Sequence, residues 1–211
     1  MVTGRTRWWR FGTVMGGSVV ASAGLVLMVA HGAIAASFSV SGQEFKIKAT
    51  RLSANGFVQY GTIDRTPIPG SNPTQYKPVP VAVSAMKDAE ITDLCQSVVT
   101  DLGALGSLTL TISAGTGEHH VTATNMTVDM TQLSGDAHFK KIEIGRDASE
   151  LDKGPTNDPA EVAQRQQGFF SQQADSVIID NLHQTARATS AGEFNLYDLK
   201  LGLQLGKHEC F

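Results

Sequence analysis

Alternation of apolar and polar residues with a period of two is the feature that most restricts the fold of this chain. Leu108, Leu110 and Ile112 alternate with threonine and serine, as in a strand that buries one face. Strand-like segments recur between glycine-containing turns, at residues 37–40, 45–49, 56–63, 79–83, 121–130, 139–144, 177–179, 194–196 and 199–205. The pattern predicts an all-β domain, an antiparallel β-sandwich or a barrel-like sheet.

One short helix is predicted inside a polar insertion at residues 152–175. Asp158 is suited to cap a helix and Pro159 to take its first position. The insertion also carries Phe169 and Phe170, for which two interpretations stay open. Either the insertion is a lid over a groove, or it is a surface excursion whose aromatic rings pack back on the core.

Residues 64–80 contain five of the seven prolines of the chain. Such a density of proline predicts an extended loop. Val79, Val81 and Val83 alternate at its end, and Pro80 confines that strand to a sheet edge or a strand start.

The N-terminus has the pattern of a targeting segment. Arg5, Arg7 and Arg10 precede an apolar stretch at residues 11–30, and the small-x-small sequence at residues 33–35 follows it. This arrangement is typical of a cleaved signal peptide, although the apolar stretch is also long enough for a retained membrane anchor helix.

Residues 1–35 are therefore predicted to be a signal peptide or an N-terminal anchor, and residues 36–211 one exported β-rich domain. Its expected location is extracellular or in the cell envelope, with membrane contact through residues 11–30 if cleavage does not occur. Cleavage after Ala35 would remove three arginines and no acidic residue, so the formal charge would change from −3 for the whole chain to −6 for the exported domain. A mildly acidic domain argues against nucleic acid as a partner, because nucleic acid requires a basic patch.

Cys95 and Cys210 are the two cysteines of the chain. An even number in an exported protein predicts a disulfide, which would tie the C-terminal segment to the middle of the domain. The alternative is a pair of unrelated thiols.

Candidate catalytic groups are sparse. The Gly-x-Ser-x-Gly motif of α/β hydrolases is absent from the sequence. A Ser-His-Asp set of Asp180, His183 and either Ser171 or Ser176 would form only if the fold brought these residues together in space. We therefore predict no catalytic residue and no cofactor.

His119 and His120 form the most visible candidate for a metal pair. Adjacent strand residues point to opposite faces, so the two rings could share an ion only in a turn. A solvated turn is the preferred interpretation, and no metal site is predicted.

Two apolar stripes are predicted to lie in the core. They consist of Met126, Val128 and Met130, and of Leu199, Leu201, Leu203 and Leu205. An apolar groove for a lipid would use the same residue types, so this second interpretation stays open.

The chain resembles an uncharacterised family of exported proteins from high-GC Gram-positive bacteria. The resemblance covers nearly the whole chain and rests on the stretches at residues 33–38, 56–60, 93–98, 142–148, 181–186 and 209–211. Both cysteines occupy family positions, which agrees with the predicted disulfide. Some members carry an automatic cholesterol esterase label, but no esterase motif is present in this sequence.

The leading functional hypothesis is a non-catalytic domain that binds a lipid, another apolar ligand or an envelope protein partner. A structural cell-surface protein is the first alternative. A lipid ester hydrolase, suggested by the family label, is the second.

Overall fold

The computed structural model describes residues 43–68, 75–155, 165 and 167–211. Nine antiparallel strands form one sheet in this part of the chain, which contains two short 3-10 turns and no α-helix. The predicted all-β antiparallel fold is confirmed. The strands are β1 (Phe45–Pro67), β2 (Tyr76–Thr92), β3 (Leu94–Asp101), β4 (Ser107–Ala114), β5 (Val121–Lys140), β6 (Glu143–Asp147), β7 (Phe170–Ser190), β8 (Glu193–Asn195) and β9 (Lys200–Leu205).

Four long strands close the sheet on itself. β1 pairs with β2, β2 with β5, β5 with β7, and β7 again with β1. Cyclic pairing satisfies the backbone groups on both sides of each strand along the paired stretches. The strands are longer than the short segments that the sequence predicted, because turn-like residues such as Asn55 and Gly56 lie within β1 rather than ending it.

Side chains that alternate into this ring form the hydrophobic core. Met126, Val128 and Met130 are buried, so the first apolar stripe lies in the core as predicted. A second cluster is centred on Val58 and Tyr60, both almost fully buried. β1 and β2 supply buried residues to both clusters, whereas β5 and β7 contribute to the first cluster alone.

The remaining strands extend the ring. β3 pairs with the start of β1, β4 pairs with β3, and β9 pairs with β4. Strands β3, β4 and β9, here called the wing, form one end of the sheet order. Strands β6 and β8 pair with β7 and β5 respectively.

The proline-rich segment at residues 64–80 is not one loop, so this prediction was wrong at both ends. β1 and β2 extend into it, and Pro78 and Pro80 pair with β1. Proline is tolerated there because β2 pairs with β5 only from Ala82 onward, which leaves the preceding stretch with one open side. Residues 69–74 lie outside the described residues.

The prediction of a polar insertion at residues 152–175 was also wrong at its C-terminal end, because residues 170–175 belong to β7. Polar residues occur in this buried strand because they are hydrogen bonded. The Ser171 hydroxyl donates to the Arg146 carbonyl oxygen at 2.9 Å. Gln173 Nε2 donates to Glu143 and Asp152 at 2.9 and 2.8 Å.

The two aromatic residues of the insertion have different environments. Phe169 packs against the core cluster around Val58, whereas Phe170 is exposed. Residues 156–164 and 166, which carry most of the predicted helix, lie outside the described residues. The interpretation of the insertion as a lid therefore stays a prediction.

The N-terminal targeting segment and the strand predicted at residues 37–40 also lie outside the described residues. Among the residues that the structure describes, there is no helix with the length and apolar character needed to cross a membrane.

Cys95 and Cys210 are joined in the structure. Their Sγ atoms lie 2.00 Å apart and their Cα atoms 5.9 Å apart, which is a disulfide pairing as the sequence predicted. The Cys210 N–H also donates to Ser97 Oγ at 3.0 Å, and Lys46 Nζ donates to the Phe211 carbonyl oxygen at 2.9 Å. The C-terminal segment therefore lies across β3 and the start of β1.

Replacement of Gly56 by alanine is expected to lower the free energy of unfolding by about 1 to 3 kcal/mol. Gly56 has a φ of +62°, and an added Cβ would lie 2.7 Å from the Lys153 carbonyl oxygen. Urea denaturation would measure the loss. Gly61→Ala is the matched control on the same strand, because its Cβ would meet only a Phe169 ring carbon at 3.9 Å. Equal midpoints for both variants would contradict this account.

Candidate functional site

The leucines of β9 are exposed, which overturns the prediction that this second apolar stripe lies in the core. Leu199, Leu201, Leu203 and Leu205 retain 52%, 62%, 61% and 75% of their accessible surface. Alternation in the sequence indicated a strand with one apolar face. No other layer of the described structure covers that face, because β9 lies at the end of the sheet.

The apolar surface continues onto the neighbouring strand. Leu205 pairs with Leu108, Leu203 with Leu110 and Leu201 with Ile112. Directly paired residues in an antiparallel sheet point to the same face, so the six side chains are contiguous. We call this surface the leucine face, made of Leu108, Leu110, Ile112, Leu201, Leu203 and Leu205.

The opposite face of the wing is covered by the C-terminal segment. Ser97 and Thr109 point to this opposite face, and both are buried. Thr109 Oγ1 donates to the Gly206 carbonyl oxygen at 2.6 Å and accepts from the His208 N–H at 3.1 Å. One face of the wing is therefore closed by polar contacts, and the other remains open and apolar.

The outer edge of β9 offers hydrogen-bonding groups next to the leucine face. The Gly206 N–H donates to the Ser107 carbonyl oxygen at 2.7 Å. Alternation along an antiparallel ladder then directs the backbone groups of Leu201, Leu203 and Leu205 away from β4. Within the described residues β9 pairs with β4 alone. It has neither proline nor a β-bulge, two of the features that protect edge strands, and its one charged residue, Lys200, lies at its start.

Exposure of this surface is costly in water. Full burial of a leucine side chain is favourable by about 1.5 to 3 kcal/mol relative to exposure. Monomeric proteins rarely expose large contiguous apolar patches unless the patch has a function. The leucine face is consequently the strongest candidate for a binding surface in the part of the chain that the structure describes.

The apolar void among the core side chains of the ring is too small for a ligand. Its apolar void has a volume of about 20 Å³ and lies between Leu52, Phe57, Met86 and Met126, among others. A cavity of this size holds about one water molecule, whereas ligand pockets measure about 300 to 1,000 Å³. A lipid chain does not fit in this void.

A second unusual feature is a cluster of buried charged groups in the ring. Arg187 is buried, with Nε 3.6 Å from Asp64 Oδ2 and Nη1 3.7 Å from Glu44 Oε1. Its Nη2 donates to Thr66 Oγ1. Arg187 enters the interior at an irregularity where Asp129 of β5 pairs with Ala188 and the next β5 residue pairs with Ala186, and such bulges redirect side chains.

The acidic members of this cluster have altered affinities for protons. Burial raises the pKa of Asp129 to about 7, the Asp64 carboxylate adds to the rise, and Arg187 opposes it. Burial also raises the pKa of Asp64, against the attraction of Arg187. Asp129 therefore changes its charge near neutral pH. The sequence did not indicate this cluster, because its members lie on three different strands.

The serine, histidine and aspartate residues singled out in the sequence do not assemble. Ser171 and Asp180 lie on the same strand, β7, about 30 Å apart at 3.3 Å per residue. Asp180 forms an ion pair with Arg51, at 2.6 Å between Oδ1 and Nε. His183 packs against the ring of Phe211. Asp180 and His183 therefore contact Arg51 and Phe211, respectively, and not each other or Ser171.

His119 and His120 lie in the turn between β4 and β5. The His119 ring contacts Tyr197, whereas His120 Nδ1 lies 2.6 Å from Glu90 Oε1. The two rings therefore have separate partners. In the described ranges no three histidine, cysteine or acidic side chains are arranged to hold a metal ion.

A closed antiparallel ring with an open apolar wing defines the chain as an all-β domain with an exposed apolar face. A family model described as a family of unknown function (DUF6230) matches residues 41–211, and the chain belongs to that family. No curated protein and no solved structure matches it.

Proposed function

We propose that this chain is an exported, non-catalytic binding domain that engages an apolar ligand or surface through the leucine face. Export is supported by the arginine-led apolar segment at the N-terminus. It is also supported by the disulfide between Cys95 and Cys210, because disulfides persist mainly in oxidising compartments. The expected location is the cell envelope or the medium.

The observation that carries the proposal is the exposure of the β9 leucines beside a nearly filled interior. The leucines of β9 are each more than half exposed, and the void inside the ring is about 20 Å³. Apolar side chains on an edge strand without a covering layer favour association over internal storage. The proposed binding mode is therefore adsorption at a surface.

Leu203→Lys is expected to reduce binding of apolar probes by at least about fivefold, since a charged group would then lie in the middle of the leucine face. The chain from residue 36 onward, without the apolar segment at residues 11–30 that could itself enter a bilayer, would be titrated with 8-anilinonaphthalene-1-sulfonate, and its co-flotation with phosphatidylcholine vesicles would be measured. The dye reports a small apolar ligand, and the vesicles report a lipid surface.

Ile144→Lys is the matched control for this experiment. Ile144 lies on β6 and is 64% exposed, so the same change of residue type is made at similar exposure on a different strand. The control should retain the binding of the unmodified chain. Equal binding by both variants, or no binding of either probe by the unmodified chain, would contradict the proposed function.

A further inference from the structure

We infer that a second copy of this chain pairs with β9 edge to edge, so that two wings form one continuous antiparallel sheet. This inference deepens the proposed function and rests on it, because the paired wings would present a leucine face of twice the width. It starts from the open edge of β9, where the backbone groups of Leu201, Leu203 and Leu205 point away from β4.

The edge is self-complementary in one register. Two β9 strands related by a twofold axis at Gly202 place Leu201 opposite Leu203 of the second copy and Leu199 opposite Leu205. Every leucine of the stripe then meets a leucine, and the outward backbone groups of Leu201 and Leu203 pair with each other. The Leu205 carbonyl oxygen already lies 3.0 Å from His208 Nε2, so the central pairs carry the interface. Side chains on the same face of paired strands interact favourably when both are apolar.

Charge is compatible with the same register. Lys200 is the single charged residue of β9, and the twofold axis places it opposite Gln204 of the second copy. No like charges are therefore directly opposed along the strand. An edge whose one charge lies at its first residue, and which carries neither proline nor a β-bulge, is the kind of edge on which a further strand adds.

The interface is expected to be of limited size. Six paired residues extend about 20 Å, which covers less than the about 800 Å² per partner of a standard stable interface. The dimer should therefore depend on concentration, and covalent trapping is the sharpest test.

The test uses the full chain with Gly202→Cys. An added Cβ at Gly202 meets no atom within 4 Å, and its side chain lies on the face opposite the leucines. In the proposed register the two copies of residue 202 form a non-hydrogen-bonded pair with Cα atoms about 4.5 Å apart, which a disulfide can bridge. Oxidation should give a covalent dimer, identified by non-reducing mass spectrometry of the peptide that contains residue 202.

Gln204→Cys is the matched control. The two copies of residue 204 would lie about 13 Å apart along the strand, beyond the reach of a disulfide. We expect at least tenfold less dimer from this variant. Equal cross-linking of both variants, or no cross-linking of Gly202→Cys, would overturn the inference.

A second variant separates pairing from folding. The N–H of Leu203 points away from β4, so Leu203→Pro removes a donor from the edge without removing a bond to β4. Added to Gly202→Cys, it should reduce the covalent dimer at least tenfold, while the peptide map still shows Cys95 joined to Cys210. Undiminished cross-linking would overturn the inference.

The two proposals fail separately. If the chain binds the apolar probes but does not cross-link at residue 202, the proposed function is retained and the pairing of two copies is rejected. A chain that cross-links but binds neither probe keeps the pairing and loses the proposed function.

Discussion

Replacement of Cys210 by alanine is expected to lower the free energy of unfolding by about 4 to 5 kcal/mol. The disulfide closes a loop with a sequence separation of 115 residues, and removal of such a cross-link increases the entropy of the unfolded chain by an amount of this size. Urea denaturation of the unmodified and variant chains would measure the difference.

Lys46→Met serves as the control for this prediction. It removes the contacts of Lys46 with Glu209 and Phe211 but keeps the disulfide. Lys46 and Glu209 are partly exposed, so the loss should be at most about 1 kcal/mol. If Cys210→Ala unfolds at the same urea concentration as the unmodified chain, the disulfide does not stabilise the domain.

Asp129→Asn is expected to stabilise the domain by about 2 to 4 kcal/mol at pH 8 and to have little effect near pH 4. The pKa of Asp129 is about 7 in the folded chain, against an ordinary value of 3.8. The folded state therefore binds a proton between these values that the unfolded state has lost. Stability consequently falls as the pH rises from about 4 to about 7, and a neutral amide removes this loss.

Urea midpoints of the unmodified chain and of Asp129→Asn at pH 4.5, 6 and 8 would measure the effect. The curves should diverge as the pH rises. Asp180→Asn is a control of opposite sign, because its hydrogen bond with Arg51 lowers the pKa of Asp180 and its replacement should destabilise the chain at pH 8. A constant difference between Asp129→Asn and the unmodified chain across the three pH values would contradict the assignment.

The fold class could be predicted because alternation is a local property. Leu108, Leu110 and Ile112, like Met126 and its neighbours on β5, show in the sequence that one face of a strand is apolar. The same alternation gave a wrong result for β9. A one-sided apolar strand looks identical in sequence whether or not a second layer covers it, and coverage depends on the position of the strand in the sheet.

The buried charged cluster could not be predicted for a different reason. Asp64, Asp129 and Arg187 lie on β1, β5 and β7, far apart in the sequence, and they approach one another only because the ring closes. The redirection of Arg187 depends on an irregular pairing between β5 and β7. No local pattern in either strand specifies such an irregularity.

The closure of the ring by β1 and β7 also determines how the chain can reach its native state. Phe45 pairs with Ala186 and Tyr60 with Ser171. β1 therefore cannot complete its pairing until β7 has been synthesised. Contacts of such high sequence separation make folding slow, commonly in milliseconds to seconds for all-β domains. β1 and β5 each keep one unpaired edge until β7 is in place, and unpaired strand edges make a folding chain prone to aggregation.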